Sequence, residues 1–280
     1  MVVLLSLVSA VLYGVSDFVG GFASRRTSVW PVALLACVGA FAGAIVLALA
    51  RPGDPTTTDL AWGLLAGLGS GGGTAFLYRG LATGRMGVVA PVSAVGAVLV
   101  PLVAGLVAGE RPDLLAWVGI AVALPGIWLV SREEPQDQVP EAGGGANGLL
   151  DGILAGASFG VLFAALGQIP AGAGYWPLAA NQGMSMISLV VVAVVLGGDV
   201  RVRRPAELWG LVPGVLATVA VLFFLLATHE GLLSLAAVIT SLYPAFTVLL
   251  AIVVLREHVH RAQALGLVLC AATIVCVSAA

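Results

Sequence analysis

Ten apolar stretches, each near the 20 residues that a helix needs to cross a hydrocarbon core, occupy almost the whole chain. They run at about 2–23, 29–50, 60–82, 86–109 and 113–131, then at about 149–169, 175–197, 206–228, 232–255 and 261–279. A water-soluble domain could not be built this way, because only 9% of the 280 residues are charged, against roughly 25% in ordinary soluble domains. The lipid bilayer is the solvent that fits. The expected fold class is therefore all-α: a polytopic, integral protein of the cell membrane with ten transmembrane helices. The first run lacks the positively charged start of a signal peptide and reads as a mature span.

One long polar stretch separates two sets of five spans. Residues 132–148 hold Glu133, Glu134, Pro135, Asp137, Pro140, Glu141 and Gly143 to Gly145, the composition of a flexible linker. The flanking segments, 1–131 and 149–280, are related to each other in sequence. Tyr13-Gly14-Val15 matches Phe159-Gly160-Val161, and Trp30-Pro31 matches Trp176-Pro177 at the same offset. Trp62-Gly63-Leu64 matches Trp209-Gly210-Leu211, and that register continues through Glu110/Glu257 to Val130-Ser131 and Val277-Ser278. Scattered Leu and Val matches arise by chance, but Trp, Pro and Glu held in register do not. Five spans per copy is an odd number. The second copy must enter the membrane from the other side, so an inverted repeat is expected.

Arginine sets the orientation, since the chain has no lysine. Arg25, Arg26, Arg85, Arg132, Arg201, Arg203, Arg204, Arg256 and Arg261 all fall in connections after odd-numbered spans, with Arg79 near the same face. Only Arg51 and Arg111 lie on the other side. The positive-inside rule then places both termini outside.

Several function classes are excluded or weakened. The basic run at Arg201 to Arg204 is too short for a nucleic-acid role. Cys37, Cys270 and Cys276 lie in apolar runs without metal spacing, and no cofactor or metal motif is found. Ser70-Gly71-Gly72-Gly73 lacks the lysine of a phosphate loop, and with Gly63/Gly67, Gly152/Gly156 and Gly210/Gly214 it reads as helix packing. A mid-span catalytic pair for an intramembrane enzyme is also missing.

Ionisable residues inside spans carry the functional signal, because each costs about 2.5–3.5 kcal/mol at the membrane centre unless paired or hydrated. Asp17 in span 1 and Arg79 at the end of span 3 share a similar depth. A pair between them would remove much of each one's penalty, and it could act as a gate that exchanges partners with solute. The alternatives are a static bridge or two side chains snorkelling to the interface. Their counterparts Phe163 and Leu226 are apolar, so the repeat does not duplicate them. His229 and Glu230 close span 8 and are candidates for proton coupling or for a solvated turn. Glu110 and Glu257, at equivalent ends of spans 4 and 9, suggest a helix-end role. Tyr13, Ser16, Ser93, Ser158, Asn181, Thr240 and Tyr243 are candidate lining groups. Pro91, Pro101, Pro125, Pro213 and Pro244 are expected to interrupt helices.

The stretches Val89-Ala90-Pro91-Val92 to Gly109-Glu110-Arg111 and Ser241-Leu242-Tyr243-Pro244 to Leu255-Arg256-Glu257 carry a family likeness. With the opening Tyr13-Gly14-Val15-Ser16-Asp17-Phe18, they make the chain resemble the EamA-type ten-span proteins of the drug/metabolite transporter superfamily. That resemblance implies a secondary transporter, often an exporter of metabolites, amino acids or drugs. It implies alternating access around a cavity lined by spans 1, 3, 4, 6, 8 and 9. The expected partners are a small-molecule solute and the lipid bilayer, with monomer and homodimer both open. The competing expectation is a non-transporting scaffold or receptor with no solvent path to the midplane.

Overall fold

The computed structural model describes residues 1–24, 27, 29–83, 86–131, 145–195, 197–256 and 260–279. Its first half contains α1 (Val2–Ser24), α2 (Val29–Ala50), α3 (Thr57–Thr83), α4 (Met86–Val107) and α5 (Leu114–Val130). The second contains α6 (Gly145–Leu166), α7 (Trp176–Val195), α8 (Leu211–Glu230), α9 (Leu233–Thr240), α10 (Tyr243–Leu250) and α11 (Arg261–Ser278). Among the described residues nine segments are long and apolar enough to cross a bilayer, one of them Leu233–Leu255, which comprises α9, α10 and a π-helical turn. The apolar α5, with 17 residues, fills the tenth place. The protein is thus an all-helical, multi-pass membrane protein, as its sequence leads one to expect. Helices are forced here because lipid offers the backbone no hydrogen-bond partners.

Helix starts outside the lipid are capped by side chains. The Thr56 N–H donates to Asp59 Oδ2 at 2.8 Å, and the Ala116 N–H donates to Asp113 Oδ1 at 2.8 Å. Before α8, a 3-10 turn at Pro205–Gly210 is held by Glu207, whose carboxylate accepts the Arg203 N–H at 2.7 Å. Span 8 therefore begins with this tighter turn rather than as one continuous α-helix.

Within the membrane there is no hydrophobic force between helices, so close packing by small residues and interhelical hydrogen bonds must hold them. Helix α3 uses glycine on two faces. Gly63, Gly67 and Gly71 recur every fourth residue against α7, while Gly69 and Gly73 meet α6. A Cβ at Gly67 would stand 2.6 Å from Met184 Cβ, and one at Gly73 2.6 Å from the Phe159 ring. The Ser9 hydroxyl donates to the Ala220 carbonyl at 2.8 Å, joining α1 to α8. The Thr218 hydroxyl donates to the Ala40 carbonyl at 2.8 Å, joining α8 to α2.

The two sequence halves interleave instead of forming separate bodies. Helix α1 packs on α8 as α6 packs on α3, and α1 packs on α9 and α10 as α6 packs on α4. Likewise α2 packs on α8 as α7 packs on α3, while α2 meets α7, α4 meets α9 and α5 meets α11. Exchanging the halves maps this pattern onto itself, the structural counterpart of the repeat read from Trp, Pro and Glu.

Of the five prolines expected to interrupt helices, four do not. Pro91, Pro101 and Pro125 lie inside continuous helices. Pro213 stands in the first turn of α8, where a missing N–H costs nothing. Pro244 marks the one real interruption of these five. Span 9 turns at Ser241 and Leu242 between α9 and α10, and a proline ring at 244 cannot bond the Thr240 carbonyl four residues back.

Candidate functional site

The break in span 9 sets Tyr243 at the first position of α10, and Gly14 brings that helix to α1. A Cβ at Gly14 would lie 2.6 Å from Phe246 Cβ and 2.9 Å from the Tyr243 carbonyl oxygen. The Thr247 hydroxyl fastens the contact by donating to the Gly14 carbonyl at 3.2 Å. As a result the Tyr13 and Tyr243 rings come within 6.1 Å, centre to centre. Tyr13 also meets Phe163 of α6 edge-on at 6.3 Å, and Phe163 packs on Phe224 of α8 at 4.8 Å. Four helices from both halves thus converge on one aromatic cluster.

Asp17 stands one turn beyond Tyr13, on the same side of α1. That side is the packed one: Ser6, Ser9, Ala10 and Gly14 on or beside it are buried, whereas Leu4, Val11 and Phe22 face outward. Asp17 is nevertheless exposed. Its carboxylate therefore faces an internal opening and not the lipid, within electrostatic reach of Tyr13 and Tyr243. Gly21, one turn further along, is exposed with, among the described residues, no neighbouring atom within 4 Å of an added Cβ. Asp17 and Gly21 are thus exposed on successive turns toward the arginine-rich face.

An Asp17–Arg79 pair does not form. The Arg79 guanidinium instead donates to Asp151 Oδ1, at 3.0 Å from Nε and 2.5 Å from Nη2, and stacks over Phe76. Asp151 opens span 6 and is buried, so it needs a cation more than the exposed Asp17 does. Among the described residues no cation pairs with Asp17.

The other candidates are placed apart from this cluster or in structural bonds. The Ser16 hydroxyl donates to the Pro213 carbonyl at 2.9 Å, tying α1 to α8. The Ser93 hydroxyl donates to the Ala90 carbonyl within α4 at 2.9 Å, and Ser158 packs against Gly69 and Gly72 of α3. Asn181 is buried in α7 with its Oδ1 unpartnered, and Thr240 is buried at the end of α9 with its hydroxyl likewise unpartnered. Among the described residues, no three of His, Cys, Asp and Glu gather to hold a metal. A groove of about 310 Å³ between α4, α5 and α6 is walled by Val92, Val95, Leu99, Val100, Trp128 and Ile153, and lacks polar groups for orienting a solute.

On the face that carries the termini, the halves are clamped together. Glu110 accepts the backbone N–H groups of Leu233 at 2.5 Å and Ser234 at 3.0 Å, capping α9 across the repeat boundary. Its duplicate Glu257 lies outside the described residues. The His229 Nε2–H donates to the Ile169 carbonyl at 2.7 Å, while Glu230 is exposed at the helix end. The Asp54 N–H donates to the Gly172 carbonyl at 3.1 Å and the Tyr175 N–H to the Arg51 carbonyl at 3.2 Å. Gly53 and Gly174, both at positive φ, sit back to back in that loop pair where a Cβ would meet backbone.

Comparison with known proteins bears on this arrangement directly. The model of the EamA-like transporter family matches residues 1–132 and again 146–279. This chain belongs to that family. Two matches to one family model correspond to the two interleaved halves of the EamA-like fold. No curated protein matches the chain in sequence. A protein of known crystal structure superposes with a TM-score of 0.78 over 99% of this chain and 98% of its own, at 16% identity. That identity speaks for the fold alone. An EamA-like protein is a membrane transporter of the drug/metabolite superfamily, and the aromatic cluster with Asp17 is this member's candidate solute site.

Three residues of the site area escaped sequence reading. Asp151 was hidden as the edge of an apolar run, although an acid inside a span is by itself a signal. Phe163 and Phe224 carry no such mark, because an aromatic in a span is ordinarily a packing residue.

Proposed function

We propose that this protein is a secondary transporter of the cell membrane that exports a small solute by alternating access, its two halves inverted relative to each other. The carrying observation is the asymmetry of closure. Glu110, His229 and the paired loops at 51–54 and 172–175 hold the terminal face shut. At Asp17 and Gly21 the packed face of α1 is open toward the opposite side. A group inside a span that is reached from one face only is what a transporter in one of its two states requires.

Export is the direction proposed, as the resemblance to exporters suggests. The positive-inside rule puts the arginine-rich face in the cytoplasm, so the open side receives cytoplasmic solute. Odd-numbered repeats interchange their contacts, and rocking one half against the other would open the terminal face by the same contacts in mirror order. The test is flux in proteoliposomes, using a panel of labelled amines, amino acids, neutral alcohols and carboxylates. Saturable, gradient-driven flux of at least one solute, absent from protein-free vesicles, is the expected result. No flux for the whole panel would favour a non-transporting scaffold or receptor.

A further inference from the structure

Among the described residues, Asp17 is the acid inside a span that has no structural partner. Asp59, Asp113, Glu110 and Glu207 cap helix ends, and Asp151 takes Arg79. Asp17 has neither a helix end nor, among the described residues, a cation. It nonetheless sits inside a span, where an uncompensated carboxylate is unfavourable by about 2.5–3.5 kcal/mol at full depth. Sequence position gives no structural reason to keep it, since the equivalent place in the second half holds Phe163.

The surroundings state what would compensate it. Tyr13 is one turn away on the same helix face, and Tyr243 is 6.1 Å from Tyr13, ring to ring. Ring faces beside a carboxylate attract cations by their quadrupoles. Phe163, which meets Tyr13 edge-on, and Phe224 behind it are buried and back the Tyr13 ring from the core side. The surroundings of Asp17 are therefore anionic and aromatic. The opening at Gly21 leads to it from the arginine-rich face, so an anion would meet the carboxylate at the end of its path and be repelled.

We infer that the Asp17–Tyr13–Tyr243 box binds a small monovalent organic cation, a protonated or quaternary amine carrying an apolar or aromatic body. This assignment rests on the transporter reading and names its solute class. The ammonium sits between the Asp17 carboxylate and the two tyrosine rings, which Phe163 and Phe224 hold in place from behind. A divalent metal ion is disfavoured, because the box offers a single carboxylate where hard cations take six or more oxygens.

The test compares charge at constant shape. Binding of 2-phenylethylamine, 2-phenylethanol and phenylacetate, with benzyltrimethylammonium and tetramethylammonium as further cations, is measured by titration calorimetry on protein in nanodiscs, with empty nanodiscs subtracted. The expected result is binding of at least one cation, with 2-phenylethanol at least about tenfold weaker than the matching amine and phenylacetate weaker still. Asp17→Asn should shrink the amine-to-alcohol ratio to less than about threefold, and Asp17→Glu should keep it. Melting curves of both variants separate loss of binding from loss of fold. Equal binding of amine and alcohol, no binding of any cation, or a ratio that survives Asp17→Asn would each overturn the assignment. The flux panel keeps the two readings distinct: saturable flux of neutral or anionic solutes alone leaves the transporter standing and removes the cation site.

Discussion

Arg79 at the end of α3 and Asp151 at the start of α6 form an ion pair that crosses the repeat boundary, with Asp151 buried and Arg79 partly open to solvent. The pair joins the first half to the second at the arginine-rich face. It also explains why Asp17 is left without a cation.

This pair should be worth more than a surface bridge and less than a fully buried one. Asp151→Asn is expected to lower stability by about 1–3 kcal/mol, read as a drop in melting temperature in detergent. Arg79→Gln should cost less than its additive share in the Asp151→Asn background, because the two side chains act as a unit. Strict additivity of the two changes would show that the pair carries no coupling.

Glycine contacts make a sharper structural prediction. At Gly67 a side chain would strike Asn181 and Met184 of α7, so Gly67→Val should destabilise by about 1–3 kcal/mol. At Gly21 nothing stands in the way, so Gly21→Ala should change stability by less than about 0.5 kcal/mol. Thermal melts of the two variants side by side check this, and equal losses would contradict the packing described.

Much of this arrangement was legible in the chain, and for physical reasons. Lipid forces every span to satisfy its own backbone, so ten helices follow from apolar length alone. Close packing in lipid selects small residues, so Gly63 and Gly67 announce the α3–α7 contact. Glu110 and Glu257 in register suggested a helix-end role, and Glu110 caps α9 across the halves. Which acid met Arg79 was not legible. Depth along the membrane made Asp17 a reasonable partner, but lateral neighbours depend on how helices are arranged, and that pattern brings α6 to α3. Ser16 and Ser93 were read as lining groups, yet a hydroxyl in a span is satisfied most cheaply by a nearby carbonyl, here those of Pro213 and Ala90.

The aromatic contacts of Tyr13 separate ring from hydroxyl. If the rings of Tyr13 and Tyr243 hold the solute cation, Tyr13→Phe should leave KM for transport of the amine within about threefold, and Tyr13→Ala should raise it by about tenfold. An unchanged KM in Tyr13→Ala would remove the ring from the site.

If the terminal face and the arginine-rich face open alternately, the Glu110 clamp on Leu233 and Ser234 must release when the terminal face opens. In a chain with Cys37, Cys270 and Cys276 replaced by alanine, single cysteines are placed as Gly21→Cys on the open side and Ser234→Cys under the clamp. Labelling rates with a membrane-impermeant thiol reagent are measured with and without Glu110→Ala. Releasing the clamp is expected to raise the rate at position 234 and lower the rate at position 21 in the same preparation. Rates that stay unchanged, or that rise together, would contradict alternate opening.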